Sequence, residues 1–586
     1  MSRLQRSTWC GIIDESLVGK TLCFAGWVDR RRDHGGVIFI NLRDRTGVVQ
    51  LVFDPAFDAS VVAVGEQLRI EYVVKVEGTL VYRATDAINP KMPTGKYELK
   101  VSAVELCAKS QPMPFQLEDA AKVSEELRLK YRYLDLRRPD MQRLLKLRHE
   151  MVHAMRNYMH DQGFYEIETP ILSKSTPEGA RDFLVPSRMN PGSFYALPQS
   201  PQIYKQLLMV GGLERYFQIA RCFRDEDLRA NRQPEFTQLD IEMAFIDEEN
   251  IYALCEGLMA KLWKQFLSID LPLPFRRYSY DEMFMRFGSD KPDMRFDLEI
   301  KDLTALSEHV AADFIQTIVQ QGGKIGALCV KDKSFSRSEI DGWIERTKRE
   351  FGTQGVAYVR FNEEGQPTGP LARFISADFL QHLKTIIPDV TGKDTIFIAA
   401  GDYEQSWDLL GKLRIELGKA LRLIDTSRYE MFWVTEFPMF EWNPEERSWQ
   451  AKHHPFTSPE AGWKNKDIKH VKARAYDLVC NGEELGGGSI RIHDSETQAA
   501  VFALLGLNPE AVQQKFGFLL EAQNFGYPPE GGIAFGVDRL VMILGGTDSI
   551  REVVAFPKTQ KGSCLMMDTP SSVDQKQLQE LKIRTL

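Results

Sequence analysis

Arginines and acids alternate between Phe223 and Asp240, FRDEDLRANRQPEFTQLD. Arg224 and Glu226 open the segment, Arg229 and Arg232 follow, and Glu235, Phe236, Gln238 and Asp240 close it. A guanidinium is a rigid fork that keeps its charge, so it suits phosphate oxygens. Acids interleaved with such forks would repel phosphate unless a cation or an amine sits there too. Fixed cations, fixed anions and an aromatic together suit a nucleotide handled beside a cationic group. By itself such a loop reads as solvated ion pairs, and the rest of the chain shifts that balance. Gly531 to Leu540, GGIAFGVDRL, predicts a strand, a glycine turn and a helix whose first turn carries Arg539. A cation at a helix N-terminus is locally unfavourable, so Arg539 requires an anionic partner. Arg224 and Arg539 would then meet phosphates from two sides.

The elements that position these groups belong to a long chain. Its 586 residues suggest three to four domains, and 43% hydrophobic residues supply large cores. A net charge of −8 argues against nucleic-acid binding by bulk charge. Residues 1–108 are relatively basic, with 14 lysines and arginines against 13 acids and a run at Arg30, Arg31 and Arg32. Eight scattered cysteines include no CxxC pair, which suits a reducing compartment and suggests neither a zinc knuckle nor a disulfide framework. The N-terminus has no apolar h-region, and no apolar run reaches the ~18 residues of a membrane span. A cytoplasmic location is expected, without a membrane partner.

From Thr21 to about Leu106 the chain reads as five short strands, TLCFAGWV, GVIFINLRD, GVVQLVFD, LRIEYVVKVEGTLV and YELKVSAVEL. Five strands in about 90 residues suggest an OB-type barrel, a fold that binds single-stranded nucleic acid with aromatics and cations. Arg32, His34, Phe39 and Gln50 are the residues expected on its binding face, with Phe39 equally readable as core. Lys109 to about Asp140 reads as a linker or hinge. A long amphipathic helix follows from about Met141 to Gln162, ended by Gly163, and leads into FYEIETPIL with Pro170. Residues 290–425 mix helix and strand signals and show no site-like cluster.

The two arginine segments resemble motifs 2 and 3 of the class II aminoacyl-tRNA synthetases, and the remaining motifs are most similar to the bacterial aspartyl branch. The resemblance covers nearly the whole chain. It implies an α+β multidomain protein. An OB anticodon-binding domain (1–108) and a hinge (109–140) would precede a mainly antiparallel catalytic core (141–289 and 426–557). That core would be interrupted by a bacterial-type insert (290–425) and followed by a C-terminal extension (558–586). The segment around Pro170 resembles motif 1, which implies a homodimer. ATP is implied as substrate: Arg224 and Arg539 as catalytic phosphate contacts, Phe236 stacking on adenine, and Glu226, Glu484 and Gly536 at the nucleotide. Asp477 and Glu484, in YDLVCNGEELGGGSIR, stand where the family holds Mg²⁺, a cation that takes hard oxygens. Ser200, Gln202 and Lys205, in QSPQIYK, resemble the amino-acid loop. Lys205 and Arg491 would pair with the aspartate side chain. Gln238 and Asp240 would place the cationic groups, Glu178 would face the α-ammonium, and His453 and His454 would close over the ligand. Gly486, Gly487 and Gly488 would let the backbone approach it. The implied partners are tRNA(Asp) and, from RRRDHGGVIF with His34 before two glycines, also tRNA(Asn). An amidotransferase would then finish asparaginyl-tRNA. The alternative is a strictly discriminating enzyme.

Readings from other classes fit less well. HEMVH, His149 to His153, is a literal HExxH that would suit a zinc protease, yet Met159 stands where the third histidine of its extended motif should be. No zinc and no organic prosthetic group are expected. Gly19-Lys20-Thr21 ends like a phosphate loop, but Asp14 stands at its first glycine. A non-catalytic RNA-binding module would explain the barrel and leave the arginine segments without a purpose.

Overall fold

The computed structural model describes residues 4–175, 180–226, 232–310, 313–351, 355–388 and 390–585. The chain forms two compact units, Met1–Lys146 with Arg551–Ser571, and Leu147–Ile550 with Ser572–Leu586.

In the first unit, β1 (Thr21–His34), β2 (Val37–Asp44), β3 (Gly47–Phe53), β4 (Val73–Tyr82) and β5 (Tyr97–Ala108) close a barrel in the order β1-β2-β3-β5-β4. Alternate residues point inward, as a strand period of two requires. Ile38, Ile40 and Leu42 on β2, Leu51 and Phe53 on β3, and Val74 and Val76 on β4 make its core. Each such side chain contributes about 1.5–3 kcal/mol on burial. Two details depart from the sequence reading. β1 runs six residues past Val28, because Arg30–His34 pair with β2 up to a two-residue turn, Gly35–Gly36, with φ of 62° and 91°. A helix, Ala59–Gln67, precedes β4, which starts at Val73 rather than Leu68. Between them Glu71 takes a positive φ, and its buried carboxylate accepts from Arg43 (2.7 and 2.9 Å) and Arg137 (2.7 Å). The C-terminal segment joins this unit through Arg132, which donates to the carbonyls of Arg551 (2.6 Å), Val554 (2.9 Å) and Ala555 (2.9 Å).

The second unit is built on an eight-stranded sheet. Its order is Arg276–Ser279, Met431–Thr435, Ala475–Cys480, Glu483–Ile490, Glu530–Gly536, Glu235–Ala244, Arg215–Phe223, Tyr165–Glu166. Only the two outermost pairs are parallel, so the expected mainly antiparallel core is present. Helix Glu248–Leu267 starts on a reciprocal cap between Asp247 and Asn250 and buries Ile251, Leu258 and Trp263. Helix Val537–Gly545 buries Leu540, Val541 and Leu544. Between the strands Arg276–Ser279 and Met431–Thr435 the chain makes a second sheet. It orders Ile300–Asp302, Lys324–Val330, Thr395–Gly401, Ala357–Phe361 and Pro367–Thr368, and helix Tyr403–Ala420 packs Trp407, Leu410 and Leu413 against it. Among the described residues no helix is long and apolar enough to cross a membrane.

Candidate active site

Strand Glu235–Ala244 organises the site by its two-residue period. Phe236, Gln238, Asp240 and Glu242 alternate with Thr237, Leu239, Ile241 and Met243. Phe236, Gln238 and Asp240 line a cleft of about 500 Å³. The sheet neighbours bring the rest. Ser200, Gln202, Lys205, Arg224, Glu226, His453, His454, Asp477, Glu484, Arg491, Gly536 and Arg539 line the same cleft. Glu178 and Arg229 lie outside the described residues.

One end of the cleft is a buried ion network. Lys205 Nζ lies 3.1 Å from both Asp240 and Glu242. Arg491 donates Nε to Glu242 Oε1 (2.8 Å) and Nη2 to Oε2 (3.0 Å). Its Nη1 reaches Ser489 Oγ (2.6 Å) and His454 Nε2 (2.9 Å). All four charged side chains are at most 2% exposed, so each depends on its partners rather than on water. Glu242 was missed by sequence reading, although the alternation Phe236, Gln238, Asp240 continues to it. Its carboxylate occupies space that only glycine leaves open, since a Cβ on Gly532 would stand 1.9 Å from Glu242 Oε2.

The network sets protonation states. Burial raises the Asp240 carboxyl to about 6 against the pull of Lys205. Burial acts the same way on Glu242, but Arg491 and Lys205 overcome it and hold that carboxyl below its ordinary value. Burial and then Lys452 lower His453 to about 4, and burial and then Arg491 hold His454 well below its ordinary value. Both rings are therefore neutral near pH 7. The N–H of Phe456 also points at His454 Nδ1 (3.2 Å), so donors face both ring nitrogens and a neutral ring satisfies one of them. Among the buried groups of this region, His453 Nε2 and Gln202 Nε2 have no hydrogen-bond partner among the described residues.

The other end carries arginines paired with acids. The Arg224 guanidinium lies 5.2 Å from the Phe236 ring centre, and its buried Nε has no partner among the described residues. Arg232 pairs with Glu226 at 2.8 Å. Arg539 has the anionic partner that its position demands: Nε lies 3.4 Å from Glu483, and Nη1 donates to the Glu484 carbonyl. The strand Glu530–Gly536 passes straight into the helix at Gly536, whose φ is −71°, so no left-handed glycine turn intervenes. Asp538 accepts from the Thr237 amide (2.9 Å) and pairs with Arg148, which fixes that helix start to the strand carrying Phe236.

Asp477 and Glu484 converge over Gly487. A Cβ there would stand 2.5 Å from Asp477 Oδ1 and 3.6 Å from Glu484 Oε1. The three-glycine run thus makes room for carboxylates and, at Gly486 and Gly488, for the neighbouring strand Glu530–Gly536. Burial, then Glu484 and Asp290, push the Asp477 carboxyl well up, while Lys291 and Arg539 outweigh burial to hold Glu484 down. Lys291 Nζ reaches Glu484 at 3.3 Å. Two or three carboxylates sharing one lysine make an oxygen-rich set that fits a hard divalent cation. Asp290 and Lys291 open the stretch 290–425 that the sequence reading gave to the insert without a site.

On the barrel, Arg32 faces Phe39 and Asn41 faces Gln50 across the strands, so Arg32, His34, Phe39 and Gln50 share the outer face. His34 and Phe39 meet edge to face at 6.2 Å, and Gln50 donates to Glu98 (2.9 Å). Phe39 is half-buried, while its neighbours Ile38 and Ile40 form the core. The HEMVH histidines sit on the exposed side of helix Pro139–Asp161, with Met151 and Met155 buried. They join no third ligand among the described residues. A ligand-type cluster exists elsewhere: His309, Asp378 and His382 converge in residues 290–425, where the sequence showed none.

Comparison with known proteins narrows this geometry. The family model of tRNA synthetases class II (D, K and N) matches residues 124–560, and that of the OB-fold nucleic acid binding domain matches 22–106. A protein of Caldanaerobacter subterraneus subsp. tengcongensis named aspartate–tRNA(Asp/Asn) ligase is 49% identical over 99% of this chain and 98% of its own. The aspartate–tRNA ligase of Macrococcus caseolyticus is 48% identical over the same shares. The crystal structure of asparaginyl-tRNA synthetase from Pyrococcus horikoshii with asparaginyl-adenylate matches with a TM-score of 0.59, covering 94% of this chain and 98% of that one. At 20% identity that likeness speaks for the fold alone. With the synthetase model spanning the sheet, both arginine segments and the carboxylate pair, this chain belongs to the class II tRNA synthetases of the D, K and N group.

Proposed function

We propose that this chain is an aspartate–tRNA ligase. The aspartate α-carboxylate attacks the α-phosphorus of ATP, pyrophosphate leaves, and aspartyl-adenylate forms. The 3′-hydroxyl of tRNA then attacks the adenylate carbonyl, AMP leaves, and a phosphate oxygen of the adenylate takes the hydroxyl proton. The observation that carries this reading is the pairing of two ends in one cleft. Lys205 and Arg491 share Glu242 at one end; Arg224, Arg539 and the Asp477–Glu484 pair stand at the other.

Each group has a task that its surroundings suit. An incoming side-chain carboxylate meets Lys205 and Arg491 against one firmly ionised acid, Glu242. A neutral amide in its place would leave buried cations under-paired, which disfavours asparagine. Asp240, Gln238, Ser200 and Gln202 shape the same pocket, and neutral His453 and His454 close it without adding charge. Glu178 is assigned to the α-ammonium. Arg224 bridges the reacting carboxylate and α-phosphate, and Arg539 takes the γ-phosphate. Adenine stacks on Phe236, with Glu226 and Gly536 beside the nucleotide. Such charge neutralisation and positioning supply most of the catalysis in reactions between anions. Asp477 and Glu484 would hold Mg²⁺, which would offset charge on the triphosphate.

The barrel face with Arg32, His34, Phe39 and Gln50 takes the anticodon, and the chain works as a cytoplasmic homodimer through the segment around Pro170. The tRNA set includes both tRNA(Asp) and tRNA(Asn), which would link the product to an amidotransferase. The open Gly35–Gly36 turn beside His34, where a Cβ would meet nothing within 4 Å, and the Asp/Asn names of the relatives support this. Comparing kcat/KM for the two transcripts, in wild type and His34→Leu, tests it. Similar values in wild type and a drop for tRNA(Asn) in the variant are expected. A wild-type preference for tRNA(Asp) beyond about 100-fold, roughly 2.7 kcal/mol, would leave a strict enzyme.

A further inference from the structure

The second sheet, from Ile300–Asp302 to Pro367–Thr368, and the elements packed on it play no part in the chemistry above, yet they assemble two imidazoles and a carboxylate. We infer that His309, Asp378 and His382 bind one borderline divalent cation, of the Zn²⁺ class. Ligand-capable atoms of the three lie within 4.8 Å of one another. Asp378 stands between the rings: its Oδ2 is 2.5 Å from His309 Nδ1, and its Oδ1 is 3.6 Å from His382 Nδ1. The rings stack with centres 4.3 Å apart and planes at 11°.

Backbone contacts hold the three together without help from an ion. His309 ends the turn Thr304–His309, and Asp378 and His382 stand one helical turn apart on Ala377–Ile386. Val310 bridges Ile375, and Ser376 both caps that helix at Phe379 N (3.0 Å) and donates to the His309 carbonyl (3.1 Å). Little ordering is left for an ion to impose. His382 Nδ1 also meets the Asp378 carbonyl at 2.9 Å. A carbonyl only accepts, so Nδ1 carries the proton and the Nε2 lone pair is left for a metal, as in histidines oriented by a carbonyl behind them.

The donor set selects the ion. Two imidazoles and one carboxylate suit Zn²⁺, Co²⁺, Ni²⁺ or Cu²⁺, whereas Mg²⁺ prefers an all-oxygen shell. The side chains are 27%, 58% and 45% exposed, for His309, Asp378 and His382, so an ion and the waters that complete its shell can enter. One doubly charged ion answers the carboxylate and both rings together, where two stacked imidazolium rings would repel each other. Bound there, the ion clips the turn to the helix and stabilises the insert by mass action.

The test titrates the full chain, stripped with chelator and held in excess Mg²⁺, with Zn²⁺ by calorimetry and Co²⁺ by visible absorption. One saturable equivalent per chain is expected, together with a Tm rise on adding Zn²⁺. His309→Ala and His382→Ala should each weaken binding at least about ten-fold and lose the Tm rise, and Asp378→Asn, which keeps the side-chain shape, should weaken it in the same direction. His149→Ala and His153→Ala should change nothing. Absence of a saturable equivalent in the wild type would overturn the inference. So would an equivalent that substitution at His309 and His382 leaves intact.

Discussion

Glu242 grips Arg491 with both carboxylate oxygens, at 2.8 and 3.0 Å, while the same carboxylate stands 3.1 Å from Lys205. One acid thus fixes both cations assigned to the aspartate side chain. Removing it leaves a buried guanidinium and ammonium short of a counter-charge. Glu242→Ala should cost about 3–5 kcal/mol of stability by urea unfolding. Glu242→Gln should raise the KM for aspartate far more than that for ATP. An unchanged aspartate KM in the glutamine variant would show that this acid does not position the two cations.

Arg224 and Arg539 are the two forks proposed to meet phosphate. Arg224→Ala and Arg539→Ala should each abolish ATP–pyrophosphate exchange, a loss of ~3 kcal/mol or more in the transition state. Circular dichroism should stay that of the wild type. Near-normal exchange in either variant would remove that arginine from the reaction.

Buried histidines give the fold an acid-sensitive side. His453 is lowered to about 4 by burial and Lys452. Between that value and the ordinary ~6.5, the unfolded chain binds a proton that the folded chain refuses. Stability contributed by this group is therefore full above about pH 6.5 and falls as pH drops towards 4. Asp240, raised to about 6, acts in the opposite sense, since its folded form binds the proton first. Comparing Tm near pH 7 and near pH 5 in wild type and His453→Gln isolates the histidine. The wild type should lose more on acidification, and identical slopes would contradict the assignment.

Much of the cleft is legible in the sequence because each fragment that lines it is short and continuous. GEELGGGSIR and GGIAFGVDRL each lie along one strand or at its end, and FRDEDLRANRQPEF joins the paired strands Arg215–Phe223 and Glu235–Ala244, so local order sets spacing. Glu242 escaped because motif reading stopped at Asp240, although the strand period points one step further. Lys291 could not be seen: it meets Glu484 from 193 residues away. His309 and His382 likewise meet only through tertiary pairing of a turn with a helix. In the barrel, ASVVAVGEQ has no charged face that would announce the helix Ala59–Gln67. The length of β1 was hidden by its polar end, RRRDH, which only pairing with β2 makes a strand.

The segment after helix Pro139–Asp161 leaves Tyr165, Ile171 and Leu172 at 62%, 46% and 53% exposure around Pro170. Apolar side chains grouped in this way suit a protein interface. Light scattering at micromolar concentration should show a dimer, and Ile171→Asp with Leu172→Asp should shift it towards monomer. A stable, active 67.0 kDa species in the wild type would contradict the dimer.

In the proposed reaction Lys205, Glu242 and Arg491 form a receptor for a side-chain carboxylate beside an ATP site. Pyrophosphate exchange into ATP, measured on the purified chain with L-aspartate or L-asparagine as the sole amino acid, tests it most directly. Exchange is expected with aspartate and essentially none with asparagine. Equal exchange with asparagine, or none with aspartate, would contradict it.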